Sequence, residues 1–237
     1  MEISCKARKS EKKLNLRNWD TDYHTNKSKE GVEKELTAFS SQLSKLQYKL
    51  FADNRHALVI ILQGVDASGK DGTIRHVMGA LNPQSCYVKA FKVPTTEELS
   101  HDYLWRVHNA IPAKGQIAVF NRSHYEDVIE PQVHDLVPKN ELTTRFRQIN
   151  DFERYLSENH ITVLKFFLHI SKDEQKKRLI KSCMIQQKVG KYLKATSIVG
   201  NIGTNTCYLM KKFWLFAVPS MRLGTLSLQI QNGFVIG

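Results

Sequence analysis

Between residues 56 and 75 the sequence HALVIILQGVDASGKDGTIR places two glycines, a lysine and two carboxylates in an order suited to phosphate binding. Gly64, Gly69 and Lys70 form G-x-x-x-x-G-K. The backbone N–H groups of such a loop converge on phosphate oxygens, while the dipole of the helix that opens at its end and the lysine ammonium favour negative charge. The hydroxyl residue that commonly follows this lysine and ligates a metal is replaced by Asp71, and Asp66 adds a second carboxylate inside the loop. Two carboxylates among phosphate-binding amides repel the ligand unless a divalent cation lies between them, which predicts Mg2+ held by Asp66 or Asp71. Gly72 and Arg75 follow in the same turns and join the candidate phosphate contacts. A glycine loop that merely turns a strand into a helix is the competing reading. The required order of strand, loop, lysine and helix argues against it.

A second polar cluster follows an apolar run in QIAVFNRSHYEDV, where Asn121, Arg122, Ser123, His124, Tyr125, Glu126 and Asp127 succeed Ile117–Phe120. Ligands of doubly wound sheets gather at the carboxyl ends of strands, so this cluster is expected to face the loop around Lys70. Arg122 can neutralise charge on a transferring phosphoryl group, and Asp127 can complete the Mg2+ coordination of Asp66 and Asp71. His124 reads as a structural, hydrogen-bonding histidine, because phosphoryl transfer needs no obligatory imidazole.

These groups must be held by elements, and the chain supplies them in alternation. Ala57–Leu62 is a short Val- and Ile-rich run, the pattern of a strand covered on both faces of a parallel sheet. Further strands are predicted at Cys86–Phe91, which alternates, at Ile117–Phe120 and at Val163–Ile170. Helices are predicted after the loop as far as Leu81, at His101–Ala110 with Trp105 in the core, and at Ile149–Asn159. Thr95 or Thr96 caps another, with Glu97 and Glu98 as dipole partners, and Ser171 caps a basic helix with Asp173 and Glu174 in its first turn. Before the loop, Leu36, Phe39, Leu43, Leu46, Leu50 and Phe51 recur at three- and four-residue intervals, the stripe of an amphipathic helix over Gly31–Ala52 packed on the domain. Strands near 57, 86, 117 and 163 separated by helices make an α/β, doubly wound pattern.

Composition narrows the partners. The 237 residues suffice for one large α/β domain, and 35 Lys and Arg against 23 Asp and Glu give a net charge of +12, which implies a polyanionic partner: nucleic acid, an acidic membrane surface or a phosphate polymer. Cys5, Cys86, Cys183 and Cys207 have no C-x-x-C spacing and no secretory signal precedes them, so reduced thiols and a cytoplasmic location are expected. No run reaches transmembrane length, so no membrane partner is expected. No stacking-aromatic ribbon or DNA-binding motif accompanies the basic residues, so no specific nucleic acid is expected either. Three segments follow: a mobile basic arm over residues 1–29, a P-loop domain over 30–180, and a segment over 181–237 that departs from the pattern.

Three long motifs, LQGVDASGKDGTIRHV, NPQSCYVKAFKVPTTEELSHDYLWR and FNRSHYEDV, together resemble the polyphosphate kinase 2 family from about Gly31 to Leu179. That resemblance implies a three-layer α/β/α kinase fold, Mg2+ dependence, a basic channel for inorganic polyphosphate as phosphoryl donor, nucleoside mono- or diphosphates as acceptors, and a homo-oligomer. By motif position it puts Asp66, Lys70 and Asp71 in the phosphate loop and Arg122 and Asp127 in the second motif. Glu126 falls where the preference for AMP as well as ADP is set. Lys176, Lys177 and Arg178 fall at the start of a basic lid helix. An ATP-dependent nucleoside monophosphate kinase shares the loop, but Asp71 and the long HYED motif fit it less well; an inactive binding remnant is the other alternative.

From Lys181 onward the text no longer resembles the family or the last part of an α/β kinase. A reading of the same codons one base out of register explains this. Met184-Ile185 then forces Asp, and the residues after it permit Pro-Thr-Lys-Ser-Trp-Lys-Ile-Ser, similar to the family's lid. Gly200–Cys207 permits Lys-Tyr-Trp-Asp-Lys-Tyr-Met, and Met210-Lys211 forces Glu. Residues 217–234 permit Ser-Thr-Glu-His-Ala-Pro-Trp-Tyr-Val-Ile-Pro-Ala-Asp and, after one mismatch, Lys-Trp-Phe. The expectation is that residues after about 181 are the right gene in the wrong frame.

Overall fold

The computed structural model describes residue 21 and residues 28–188. Most of the expected N-terminal arm and of the segment after residue 181 lies outside the described residues. Four parallel strands form one sheet in the order β2-β3-β1-β4: β1 Ala57–Gly64, β2 Cys86–Ala90, β3 Ile117–Asn121 and β4 Ile161–Leu168. Apolar residues of β1 and β3 point alternately to two cores, as a strand period of two requires. Val59, Ile61, Ala118 and Phe120 meet one core with Val107, Val128, Ile129, Leu142 and Ile149. Leu58, Ile60, Leu62, Ile117 and Val119 meet the other with Leu43, Leu50, Ile74 and Met78. Helices therefore cover both faces, and the layers are α/β/α.

On the second face lie α1 (Lys29–Asp53) and α2 (Lys70–Met78). Helix α1 is capped by Ser28, whose Oγ accepts from Gly31 N at 3.2 Å, and ends at Asn54 in the left-handed region. Its expected apolar stripe packs only in part. Leu43 and Leu50 reach the core beside buried Gln47, which donates to Asn82 O (2.8 Å) and Ser85 Oγ (2.9 Å) and accepts from Asn82 N. Leu36, Phe39, Leu46 and Phe51 stay 40%, 44%, 60% and 55% exposed. Contact with the core begins only at Leu43, and Leu46 and Phe51 are turned away from its row, so three- and four-residue spacing alone overstates the buried face.

The other face carries α4 (Trp105–His108), α5 (Glu126–Val133) and α6 (Lys139–Glu158), while α3 (Thr96–Leu99) lies before α4 and α7 (Lys172–Lys188) follows β4. Thr95 caps α3 in a full capping box with Glu98. The helix expected over His101–Ala110 contracts to four residues. Trp105 is not in the core: it is half-buried and stacks on His101 at 4.1 Å, while its neighbours Arg106 and Val107 turn inward. Strand β2 does not alternate; it is an edge strand with Tyr87 and Val88 partly exposed.

Helix α6 begins ten residues before the predicted Ile149, because its first half is polar and is held by pairs such as Arg145 to Glu141 at 2.7 Å rather than by an apolar stripe. Helix α5 contains Pro131. A proline there has no N–H to offer the carbonyl four residues back, at Asp127. Arg145 Nη1 supplies that bond instead, at 2.7 Å. Helix α7 runs to Lys188, past the boundary near residue 180, since no glycine or proline interrupts the sequence before Gly190.

Candidate phosphoryl-transfer site

Strand β1 runs through Gly64 into the loop Val65–Gly69 and on to α2, and the neighbouring β3 runs into Asn121–Tyr125 and on to α5. The two connections leave on opposite faces, so the carboxyl ends of β1 and β3 form the switch point at which doubly wound sheets bind ligands. Each loop glycine is required for its own reason. Gly69 has φ +102°, and a Cβ at Gly64 would lie 2.7 Å from Ser68 Oγ and 2.9 Å from Leu168 O. Gly72 faces open space. Ala67 and Arg122 adopt φ of +61° and +63° without being glycine, a strained geometry found where surrounding bonds fix it.

Lys70, the first residue of α2, is buried and donates from Nζ to Gly64 O at 2.8 Å and Val65 O at 3.1 Å. Burial lowers its pKa and the Asp66 carboxylate opposes this. Arg122 Nη2 donates to Asp66 Oδ1 at 2.7 Å, and Asn121 Nδ2 donates to Asp71 Oδ1 at 2.6 Å. The second motif thus meets the loop as expected, through two charged or polar pairs that remain open to solvent. Arg75 is exposed one turn beyond Asp71. From above, Gln175 Nε2 donates to Asp66 O at 3.1 Å, and Arg178 Nη1 to Ser68 O at 3.1 Å. Arg178 is kept there by Glu174, 2.7 Å from its Nε.

Glu126 and Asp127 turn to different partners. Buried Glu126 accepts from Gln63 Nε2 at 2.5 Å and lies 3.9 Å from Arg122 Nη1. Burial raises its carboxyl pKa, against the pull of Arg122. Asp127 points toward α4, where both of its oxygens accept from Arg106 Nη2 at 2.9 Å. Arg106 is itself only 5% exposed and also donates to Lys92 O at 2.9 Å; Asp127, with Glu98 3.7 Å from Nη1, supplies the counter-charge that makes its burial tolerable. Burial raises the Asp127 pKa and Arg106 restrains it. The structure therefore does not bring Asp127 together with Asp66 and Asp71: among the described residues no group of three or more His, Cys, Asp or Glu is set to hold a metal ion. The exposed Asp66 and Asp71 still suit Mg2+, a hard cation that takes one or two carboxylates and fills its shell with water and substrate phosphate.

Behind the motif lies a polar group that composition and spacing did not reveal. His124 Nε2 approaches Glu153 Oε1 at 3.2 Å, Tyr125 OH donates to the same oxygen at 2.6 Å, and Lys165 Nζ donates to Glu153 Oε2 at 2.8 Å and Tyr125 OH at 2.9 Å. All four residues are buried. His124 is thus a buried, hydrogen-bonded histidine. Arg106, Glu153 and Lys165 were the functional candidates missed; a lysine amid the apolar run of β4 is the one local signal that could have found them.

A parallel sheet with helices on both faces, a glycine loop opening a helix with an inward lysine, and a basic second motif at the switch point define a P-loop, kinase-like α/β protein. A sequence model of the family described as "Polyphosphate kinase 2 (PPK2)" matches residues 26–216, past the point near 180 where the motif likeness ends. The chain belongs to the polyphosphate kinase 2 family. It is 50% identical over 151 residues to the "AMP/ADP-polyphosphate phosphotransferase" of Meiothermus ruber, covering 64% of this chain and 57% of that protein. To the "ADP-polyphosphate phosphotransferase" of Rhodopseudomonas palustris it is 44% identical over 181 residues, covering 71% of this chain and 63% of that one. The chain thus spans less than two thirds of these relatives. Its fold superposes on the crystal structure of polyphosphate kinase 2 from Arthrobacter aurescens TC1 with a TM-score of 0.68 at 34% identity, covering 89% of this chain and 87% of that one.

Proposed function

We propose that this chain descends from, and with an intact lid is, a phosphotransferase that moves a phosphoryl group between inorganic polyphosphate and nucleoside mono- or diphosphates. The observation that carries this reading is the apposition of the two motifs, with Arg122 of the second 2.7 Å from Asp66 of the phosphate loop. The printed names of the Meiothermus and Rhodopseudomonas relatives support the substrate class. Loop amides and Lys70 bind phosphate; Arg122 and Arg178 stabilise charge on the oxygens of the group in transit. Asp66 and Asp71 would hold Mg2+, which when bound screens the repulsion between these carboxylates and the phosphates. Glu126, close to Arg122, would select the acceptor, with AMP and ADP both used. Asp127 supports the site through Arg106.

A cytoplasmic location goes with this reading, and among the described residues no helix is long and apolar enough to cross a membrane. The exposed apolar residues of α1 would suit a homo-oligomer.

The segment from about 181 to 237 limits activity in the chain as it stands. In the shifted frame it would supply a basic lid and packing helices. In the present frame its sequence shows no clear amphipathic period. The test uses polyphosphate as sole donor, ATP as control donor, and both this chain and one corrected by a single base near codons 180 to 183. The corrected chain converts ADP, and AMP, with polyphosphate and Mg2+, while the present chain is poorly soluble and nearly inactive. Phosphate uptake from ATP alone would identify an ordinary nucleotide kinase. Early stop codons in the shifted frame would refute the frame reading.

A further inference from the structure

The segment from Arg122 to Asp127 carries the residues that face the phosphate loop, yet its own backbone is not regular. Arg122 sits at φ +63°, a strained conformation for a side chain with a Cβ, and Glu126 and Asp127 lie in the first turn of a helix with no side-chain cap. Something must hold this segment in place.

Two grips are visible, one residue apart in the chain and on neighbouring strands of the sheet. Glu126 is tied to Gln63 of β1 at 2.5 Å. Tyr125 is tied through its hydroxyl to Lys165 of β4 at 2.9 Å and to Glu153 of α6 at 2.6 Å, and Glu153 also takes His124 at 3.2 Å. Lys165 is in register with Ile61 of β1, which is in register with Phe120 of β3, so these three side chains share the sheet face beneath α5 and α6. The last buried residue of β3 before the motif and the lysine that grips the motif thus stand in one row. A buried ion pair contributes little to net stability compared with apolar residues of the same volume; what it adds is direction. Here the direction is set toward Tyr125, and apolar residues at 153 and 165 would bury the area without fixing its hydroxyl.

We propose that Lys165 and Glu153 are positioning residues: acting through Tyr125 and His124, they hold the strained Arg122 and the start of α5 in register with the phosphate loop. The proposal rests on the phosphoryl-transfer reading only for its kinetic consequence. The positional consequence is independent of any activity.

The experiment compares the full chain with Tyr125→Phe and with the double variant Lys165→Met/Glu153→Leu, which removes both charges together with the acceptor that holds the tyrosine and the histidine. Amide hydrogen exchange is followed for the 121–128 segment and, as an internal control, for β1 and α6, alongside thermal unfolding. The double variant keeps a cooperative transition, and exchange at 121–128 rises tenfold or more while β1 and α6 change less than twofold. In a chain that turns over polyphosphate, kcat falls at least tenfold with KM for the nucleotide changed less than threefold. Unchanged exchange at 121–128 in a folded variant overturns the proposal, as does faster exchange spread evenly over the molecule. If the double variant does not fold, Tyr125→Phe decides by the same criteria, because it keeps the ring and removes only the hydroxyl that the pair grips. Absence of polyphosphate-dependent turnover in every form, with exchange at 121–128 raised as described, would overturn the functional reading and leave the positioning role standing.

Discussion

Two polar clusters stand on either side of the Asn121–Asp127 segment, and each is centred on one basic side chain against one carboxylate. In front, Arg122 meets Asp66 with the two side chains 37% and 59% exposed; behind, Lys165 meets Glu153 with both at 0%. The front pair is open to water, so it contributes little to stability. The rear pair is shut away from water. Burial pushes the Glu153 carboxyl up, but Lys165 and His124 outweigh it and hold its pKa down at about 2. Burial, reinforced by Glu153, drives the Tyr125 hydroxyl well above its ordinary value. Desolvation separates the exposed pair from the buried frame.

Breaking one partner at a time gives the largest contrast. Lys165→Met leaves a buried carboxylate uncompensated and should lower unfolding free energy by about 3–5 kcal/mol, whereas Asp66→Asn should lower it by less than about 1 kcal/mol. Denaturant titration of both variants checks this, and equal losses would erase the distinction.

Turnover should show the reverse ranking. In the frame-corrected chain, Lys70→Ala should reduce kcat by about 10²- to 10³-fold by removing charge stabilisation at the loop, with a cooperative unfolding transition retained. His124→Ala should change the turnover of the folded protein by less than about tenfold, since its ring contacts Glu153 and lies away from the loop. Steady-state kinetics with polyphosphate would dissolve the comparison if the two losses were alike.

Acid should attack the rear cluster. Glu153 has a folded pKa of about 2 against an ordinary 4.5, so it contributes stability that is fully present above about pH 4.5 and is lost as pH falls toward 2. The stabilisation at stake is about 3 kcal/mol at most. Stability measured across that range should fall steeply in the parent and less so in Lys165→Met/Glu153→Leu; parallel curves would place the acid sensitivity elsewhere.

A further effect sharpens the border between the clusters at Asp127. Asp127→Asn weakens a charged bond to buried Arg106 and should cost about 1.5–3 kcal/mol of stability while leaving the Mg2+ dependence of turnover unaltered. A rightward shift of the Mg2+ titration would return Asp127 to the metal.

The phosphate loop was legible because its chemistry is local: a glycine at φ +102°, a lysine beside it and a strand before it fall within a few residues. Strand positions were legible for the same reason, as buried parallel strands are written as short apolar runs. The partners of the second motif were not. Arg106 lies 21 residues from Asp127, Glu153 28 residues from Tyr125 and Lys165 a further 12 from Glu153, so nothing in their neighbours announces the pairing. The same holds for the exposed side of α1, whose three- and four-residue spacing fixes a helix and an apolar stripe but not how far the rest of the chain reaches along it. The sequence by itself determined the loop, the strands and the family; only the tertiary structure decided which buried charges face one another and which apolar residues stay in water. Backbone conformation answers to nearest neighbours, whereas desolvation and ion pairing depend on whatever distant segment the fold delivers to the same place.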